Sequence, residues 1–167
     1  MKRLIEIIPA NKKIHLPKLS KLYANYIEEL KKFYFNGDPE GRGRIYSPRT
    51  IIDSLSEPSL NYFCLFDSKN MKGFLMEDQN SLKENHLSWI TSLYVNEKRK
   101  GFGEFLMKHS INNAKNSGLQ GIALGVSEKN TPAIKLYEKL GFEYIRKSPD
   151  FEFNQSILMK KSLAENQ

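Results

Sequence analysis

The hydrophobic residues of this chain alternate between short dense runs and stripes spaced by three and four, and that alternation lays out most of its elements. Leu4 to Ile8 reads as a first strand. The preceding Met1-Lys2-Arg3 has the basic head of a secretion signal, but Glu6 interrupts a run too short for the apolar part of one. Leu16 to Phe35 predicts one long helix with Leu19, Leu22, Tyr23, Tyr26, Ile27 and Leu30 in its stripe. The glycine-rich stretch Asn36 to Gly43 ends that helix and predicts a long exposed loop before a short helix near Pro48 to Leu55. Such a loop serves equally as a linker or as a carrier of substrate contacts.

Asn61 to Asp67 and Met71 to Glu77 predict a hairpin turning at Ser68-Lys69-Asn70. Polar residues from Asp78 to Asn85 lead into a longer strand, Leu87 to Val95. Gly103 to Lys115 then shows helical spacing at Leu106, Met107, Ile111 and Ala114, closed by Asn116-Ser117-Gly118, and Gln120 to Val126 returns as a strand. Strand, helix and strand at this spacing form a βαβ unit, whose ligand site belongs at the carboxyl end of its first strand. Thr131-Pro132 offers an N-cap followed by proline at the first helical position, and Gly141 is placed to stop that helix. Phe142 to Arg146 and Phe151 to Met159 supply two last strands, the second antiparallel at the far side of the sheet. No internal repeat is present.

Composition narrows the class. At 167 residues the chain is read as one domain, 1–167, able to bury roughly two-thirds of its unfolded surface. No stretch approaches the ~20 uninterrupted apolar residues of a membrane span. Cys64, the single cysteine, lies in the apolar run Tyr62 to Phe66; it has no intramolecular disulfide partner and suits a reducing, cytoplasmic setting. His15, His86 and His109 stand at no metal-ligand spacing, so no metal is expected. The net charge of +7 favours anionic partners, but its lysines are spread as Lys12-Lys13, Lys31-Lys32, Lys98 to Lys100 and Lys160-Lys161 rather than gathered in a basic arm.

Two segments carry candidate chemistry. In the first, the strand Leu93-Tyr94-Val95 runs through Lys98, Arg99 and Lys100 into Gly101-Phe102-Gly103 and a helix beginning near Glu104. Glycines between a strand and a helix let backbone N–H groups approach an anion, and the helix N-terminus adds roughly half a positive charge. The same letters also describe a tight turn beside a solvated basic loop. No Gly-Lys-Ser/Thr follows, which excludes a P-loop, and Leu106 stands where a dinucleotide fingerprint needs its third glycine or alanine. The second segment is Asn130 followed by Leu136-Tyr137-Glu138-Lys139-Leu140-Gly141-Phe142. By position alone Asn130 is a turn residue, and by spacing alone Tyr137 is a core tyrosine.

Taken together, these two segments resemble the GCN5-related N-acetyltransferase (GNAT) family. The resemblance covers the chain from about Asn61 onward and, more loosely, from residue 1. It implies an α+β fold with mixed α/β order: a splayed mixed sheet of about six to seven strands flanked by about four helices. Residues 87–142 would form the acetyl-coenzyme A core and 1–60 the acceptor side. It further implies acetyl-CoA as co-substrate, its pyrophosphate on Lys98, Arg99, Lys100, Gly101, Phe102, Gly103 and Glu104, and its pantetheine on backbone groups of Leu93, Tyr94 and Val95. Asn130 would also bind it, its side chain left open if Thr131 takes the cap. Tyr137 would protonate the departing thiolate. Where the family usually carries Gln or Arg, three residues before the first glycine, this chain has Lys98, which lacks a planar fork.

The implied reaction is direct attack of a primary amine on the acetyl carbonyl, so Cys64 is not expected as a nucleophile. His86 and Glu84, or water alone, are the candidates for a base, because Trp89-Ile90-Thr91-Ser92 contains no carboxylate. Glu28 and Glu29, with Asp38 and Glu40, could attract a cationic amine, although Glu28 and Lys32 also suit an i,i+4 surface pair. Small molecules and peptides both remain open as acceptors, as do monomer and homodimer. The competing functions are a basic nucleic-acid-binding module, for which no recognition motif is found, and a CoA-binding regulator without transfer activity.

Overall fold

A computed structural model of the chain describes residues 4–34, 59–79, 86–148 and 156–163. The elements are β1 (Ile5–Pro9), α1 (Lys12–Tyr34), β2 (Leu60–Asp67), β3 (Asn70–Asp78), β4 (Leu87–Val95), α2 (Phe102–Asn116), β5 (Gly121–Ser127), α3 (Thr131–Lys139), β6 (Glu143–Ser148) and β7 (Ser156–Ser162). The seven strands form one sheet in the order β1-β2-β3-β4-β5-β7-β6. Every neighbouring pair is antiparallel except β4 and β5, which are joined through α2 and run parallel. This is the expected α+β class with a mixed sheet. Three helices lie among the described residues; the short helix expected near Pro48 to Leu55 falls outside them, as do Asp38, Glu40 and Glu84.

α1 starts four residues before the expected Leu16, because Asn11 caps it. Its Oδ1 accepts from the amides of Lys13 (3.0 Å) and Ile14 (3.2 Å), while the Asn11 amide donates to His15 Nδ1 at 2.9 Å. Pro17 is therefore inside the helix rather than at its edge.

The continuous apolar run of β2 follows from burial on both faces. Phe63 and Leu65 join the core beneath α2 and α3, whereas Tyr62 and Cys64 join a second core beneath α1. β4 makes the same division with a change of step. Ile90 and Leu93 both belong to the α2 side although they stand an odd three positions apart, and Tyr94 belongs to the α1 side. The cause is a bulge: Met76 pairs with Ser92 and Glu77 with Ile90, leaving Thr91 as the extra residue, its Oγ1 donating to the Met76 carbonyl at 3.1 Å. Pairing of β4 with β5 runs from Leu87↔Gly121 to Ile90↔Leu124 and stops at that bulge. β4 then continues beside β3 and β5 beside β7, so the two parallel strands part.

Candidate active site

The parting of β4 from β5 opens beside the N-terminus of α2. A cavity of about 480 Å³ is lined there by Leu93 and Val95 of β4, by the loop and first turn of α2, by Asn130, Ala133, Leu136 and Tyr137, and by Glu29 and Phe33 of α1. A narrower space of about 70 Å³ occupies the gap between the strands, bounded by Thr91, Ser92, Gly125 and Val126, and by Tyr26 and Leu30 of α1. Leu93, Asn130 and Tyr137 line both spaces.

Gly101 is the N-cap of α2, with φ 79° and ψ −2°, a left-handed conformation in which a Cβ is strained. Having no side chain, it caps nothing. The first intrahelical bond is Phe105 N–H to the Gly101 carbonyl (3.0 Å), so first-turn amides ahead of it lie at the cavity wall without a capping side chain. Arg99 is also left-handed, at φ 60°. At Gly103 the constraint is approach rather than backbone: a Cβ there would lie 3.2 Å from Leu136 Cδ2, which shows how closely α2 and α3 pass.

The string around Tyr137 is a helix terminus of defined geometry. Gly141 takes the left-handed position just past the end of α3, at φ 81°. Its amide donates to the Glu138 carbonyl and the Phe142 amide to the Tyr137 carbonyl, each at 2.9 Å. These two bonds define a Schellman motif, and its usual hydrophobic contact is made by Phe142 against Tyr137, ring centres 5.8 Å apart. The cap therefore holds the buried Tyr137 in place.

The other end of α3 differs from expectation. Asn130, not Thr131, is the cap: its Oδ1 accepts from the Ala133 amide at 3.3 Å, and Pro132 falls at the second helical position. Asn is as good a cap as Thr and stands one residue earlier, which the Thr-Pro signal masked. With Oδ1 so engaged, its Nδ2 is what the side chain can offer to the cavity.

Of the residues singled out in the sequence, Leu93, Val95, Lys98, Arg99, Gly101, Phe102, Gly103, Glu104, Asn130 and Tyr137 all line the larger cavity. Two do not. Lys100 is exposed away from it, and the Tyr94 side chain turns to the α1 core against Tyr26 and Phe74, leaving only its main chain on the strand that borders the site. His86 stands at the opposite end of β4, seven residues and roughly 23 Å along the strand from Leu93, and borders neither space.

Carboxylates at the cavity are paired. Glu104 receives Lys108 Nζ at 2.8 Å and Lys139 Nζ at 2.6 Å; these hydrogen bonds, with that from Lys108 the larger, lower its pKa to about 2 and tie α2 to α3. Glu97 pairs with Lys72. Glu29 pairs with Lys98, Oε2 to Nζ, at 2.8 Å. Glu28 points elsewhere, pairing with Lys31 at 2.6 Å rather than with Lys32. Glu29 was singled out only as an attractor of a cationic amine and Phe33 not at all; both line the cavity because they share a helical face with Tyr26 and Leu30, and that periodicity was the signal. Among the described residues no group of three or more His, Cys, Asp or Glu could hold a metal ion, and no helix is long and apolar enough to cross a membrane.

A mixed sheet whose two parallel strands separate beside a glycine-capped helix N-terminus frames the site, and this is an α+β domain. The chain belongs to the acetyltransferase (GNAT) family, whose model matches residues 23–142. Among solved structures it is similar to the PaiA N-acetyltransferase of Thermoplasma acidophilum in complex with coenzyme A, at 18% identity and TM-score 0.76, covering 95% of this chain and 99% of that one. It is also similar to the ribosomal-protein-S18-alanine N-acetyltransferase of Escherichia coli, at 19% identity and TM-score 0.70, covering 98% and 97%. YncA of Salmonella typhimurium, with its cofactor acetyl-CoA, gives 16% identity and TM-score 0.72 over 96% and 95%. Mycothiol acetyltransferase of Corynebacterium glutamicum is 32% identical over 80 residues, which span 47% of this chain but 26% of that relative.

Proposed function

We propose that the protein is an acetyl-CoA-dependent N-acetyltransferase that acts on a primary amine of a small molecule or peptide. One observation carries the reading: Leu93, Asn130 and Tyr137 line both the cavity at the glycine loop and the gap between the parted strands. A ligand with an anionic end and a slim arm fits such a pair of spaces. The loop amides, with Lys98 and Arg99, suit a pyrophosphate, and the edge of β4 that β5 leaves beyond Ile90, its other edge still paired with β3, suits an amide-bearing arm.

When bound, acetyl-CoA supplies the activated acetyl carbon. Main-chain N–H groups of Leu93 to Val95 would hydrogen-bond at that end of the strand, a type of donor whose removal typically costs ~10²–10³ in rate. Tyr137 is buried and fixed by its helix cap, so its phenol is the group positioned to give a proton to a leaving thiolate. Cys64 takes no part: it is fully buried in the α1 core, and burial pushes its thiol up to about 12, far from the thiolate a nucleophile needs.

The test has two stages. Acetyl-CoA at ~1 mM should raise the melting temperature by mass action, and Gly103→Asp, which sets a charged side chain against Leu136, should abolish the shift. Release of CoA thiol is then followed against polyamines, aminoglycosides, free amino acids and peptide N-termini. Tyr137→Phe should lower turnover far more than acetyl-CoA affinity. Absence of any thermal shift overturns the cofactor reading. Binding without thiol release across the panel supports a CoA-binding regulator instead.

A further inference from the structure

Among the described residues that line the larger cavity, the cations are Lys98 and Arg99, and the carboxylates are Glu29, Glu97 and Glu104. Glu97 and Glu104 are held by lysines outside that lining. Glu29 differs, because its partner, Lys98, belongs to the loop that would receive an anion.

The pair joins two parts of the molecule. Glu29 sits on α1 beside Leu30 and about one helical turn from Tyr26 and Phe33, which border the two spaces. Lys98 leans back toward that helix, with Nζ 2.8 Å from Glu29 Oε2 and 4.5 Å above the Tyr94 ring, which itself packs on Tyr26 at 6.0 Å. Both side chains stay partly in water, 49% exposed for Lys98 and 31% for Glu29, so exchanging one partner for another needs no burial of an unpaired charge. A lysine presents a compact charge on a flexible stem and moves readily between two anions; arginine, with its rigid fork, is less suited to such a swing.

Resting on the acetyl-CoA reading of the cavity, we infer that the Glu29 carboxylate is a built-in competitor for Lys98, occupying the loop's first cation until a ligand phosphate displaces it. Anion binding at the loop then breaks the tie between Lys98 and α1. The coupling is reciprocal: whatever holds Glu29 to Lys98 weakens phosphate binding by the same factor. Glu29 is thus a positioning residue for the loop, not a ligand to the cofactor.

The test titrates inorganic pyrophosphate and coenzyme A separately into four proteins by calorimetry: the parent chain, Glu29→Gln, Lys98→Met and the double variant. Glu29→Gln should tighten both ligands by about two- to five-fold, the range of a partly exposed ion pair. Lys98→Met should weaken both, and in that background Glu29→Gln should give a smaller gain, because the cation it frees is gone. Equal or weaker pyrophosphate binding by Glu29→Gln overturns the proposal, as does absence of pyrophosphate binding by every protein. A gain of the same size in the Lys98→Met background also overturns it, since plain repulsion between Glu29 and phosphate would do that. Coenzyme A that binds none of the four, while pyrophosphate follows the expected pattern, overturns the cofactor reading and leaves the competition standing.

Discussion

Replacing Gly101 by alanine isolates the backbone of the loop. The added Cβ meets nothing closer than Phe105 Cε2 at 3.9 Å, so no steric clash contributes. What remains is the left-handed conformation at φ 79°, which costs an L-residue roughly 1–2 kcal/mol. For a chain of this length each kcal/mol moves the melting temperature by about 2–4 °C, so Gly101→Ala should melt about 2–8 °C lower. Gly101→Asn should lose less, since asparagine tolerates this region. Gly103→Ala is the internal control. It sits at a helical position with ordinary φ, where alanine is favoured over glycine by roughly 0.5–1 kcal/mol, and that gain offsets the 3.2 Å approach to Leu136 Cδ2. Its melting temperature should stay within about 2 °C of the parent. Differential scanning calorimetry of the four proteins decides the matter. A Gly101→Ala variant that melts with or above the parent, or a Gly103→Ala variant that loses as much as Gly101→Ala, would refute the reasoning.

Asn130→Ala removes the cap of α3 and should cost about 1 kcal/mol, whereas Asn130→Asp keeps a capping oxygen and should melt like the parent while binding acetyl-CoA more weakly for want of Nδ2; loss of stability in Asp equal to that in Ala would exclude the cap. Glu77 is fully buried on β3, where burial raises its pKa although hydrogen bonds from Ser110, Asn113 and Gln79 pull it down. The folded chain therefore keeps this proton to higher pH than the unfolded chain. Relative to Glu77→Gln, stability should be flat in acid and should fall as pH rises from the ordinary carboxylate range through the raised value. Urea midpoints of both proteins from about pH 4 to 8 check this, and a difference that does not change with pH contradicts it.

Much of the fold was written in local signals. The glycines and proline that bound α2 and α3 act through backbone conformation within a few residues, and they located both helices to within a residue or two. α1 begins four residues earlier than its apolar stripe indicates, because its start is set by the Asn11 cap rather than by hydrophobic spacing, and Pro17 is accommodated inside the helix. The bulge at Thr91 left no mark at all. It exists because β4 must face α1 with Tyr94 and α2 with both Ile90 and Leu93, a requirement set by partners far away in sequence. The site divides the same way. The loop and the Tyr137 string could be read because each is a contiguous turn or cap, while the Lys98 to Glu29 contact spans 69 positions and appears only once α1 has docked.

The short seam between β4 and β5 has a mechanical consequence. Four residue pairs, Leu87 to Ile90 against Gly121 to Leu124, hold two plates of sheet together, β1-β2-β3-β4 on one side and β5-β7-β6 on the other. α2 packs across both plates and acts as a splint over the seam. Shear between the plates is resisted least at the open end, where the cavity lies, and a molecule lodged there bridges both. Such a molecule stiffens the whole sheet in a way that no contact confined to one plate can, and amide exchange in β5, remote from the glycine loop, becomes a gauge of what that loop has bound.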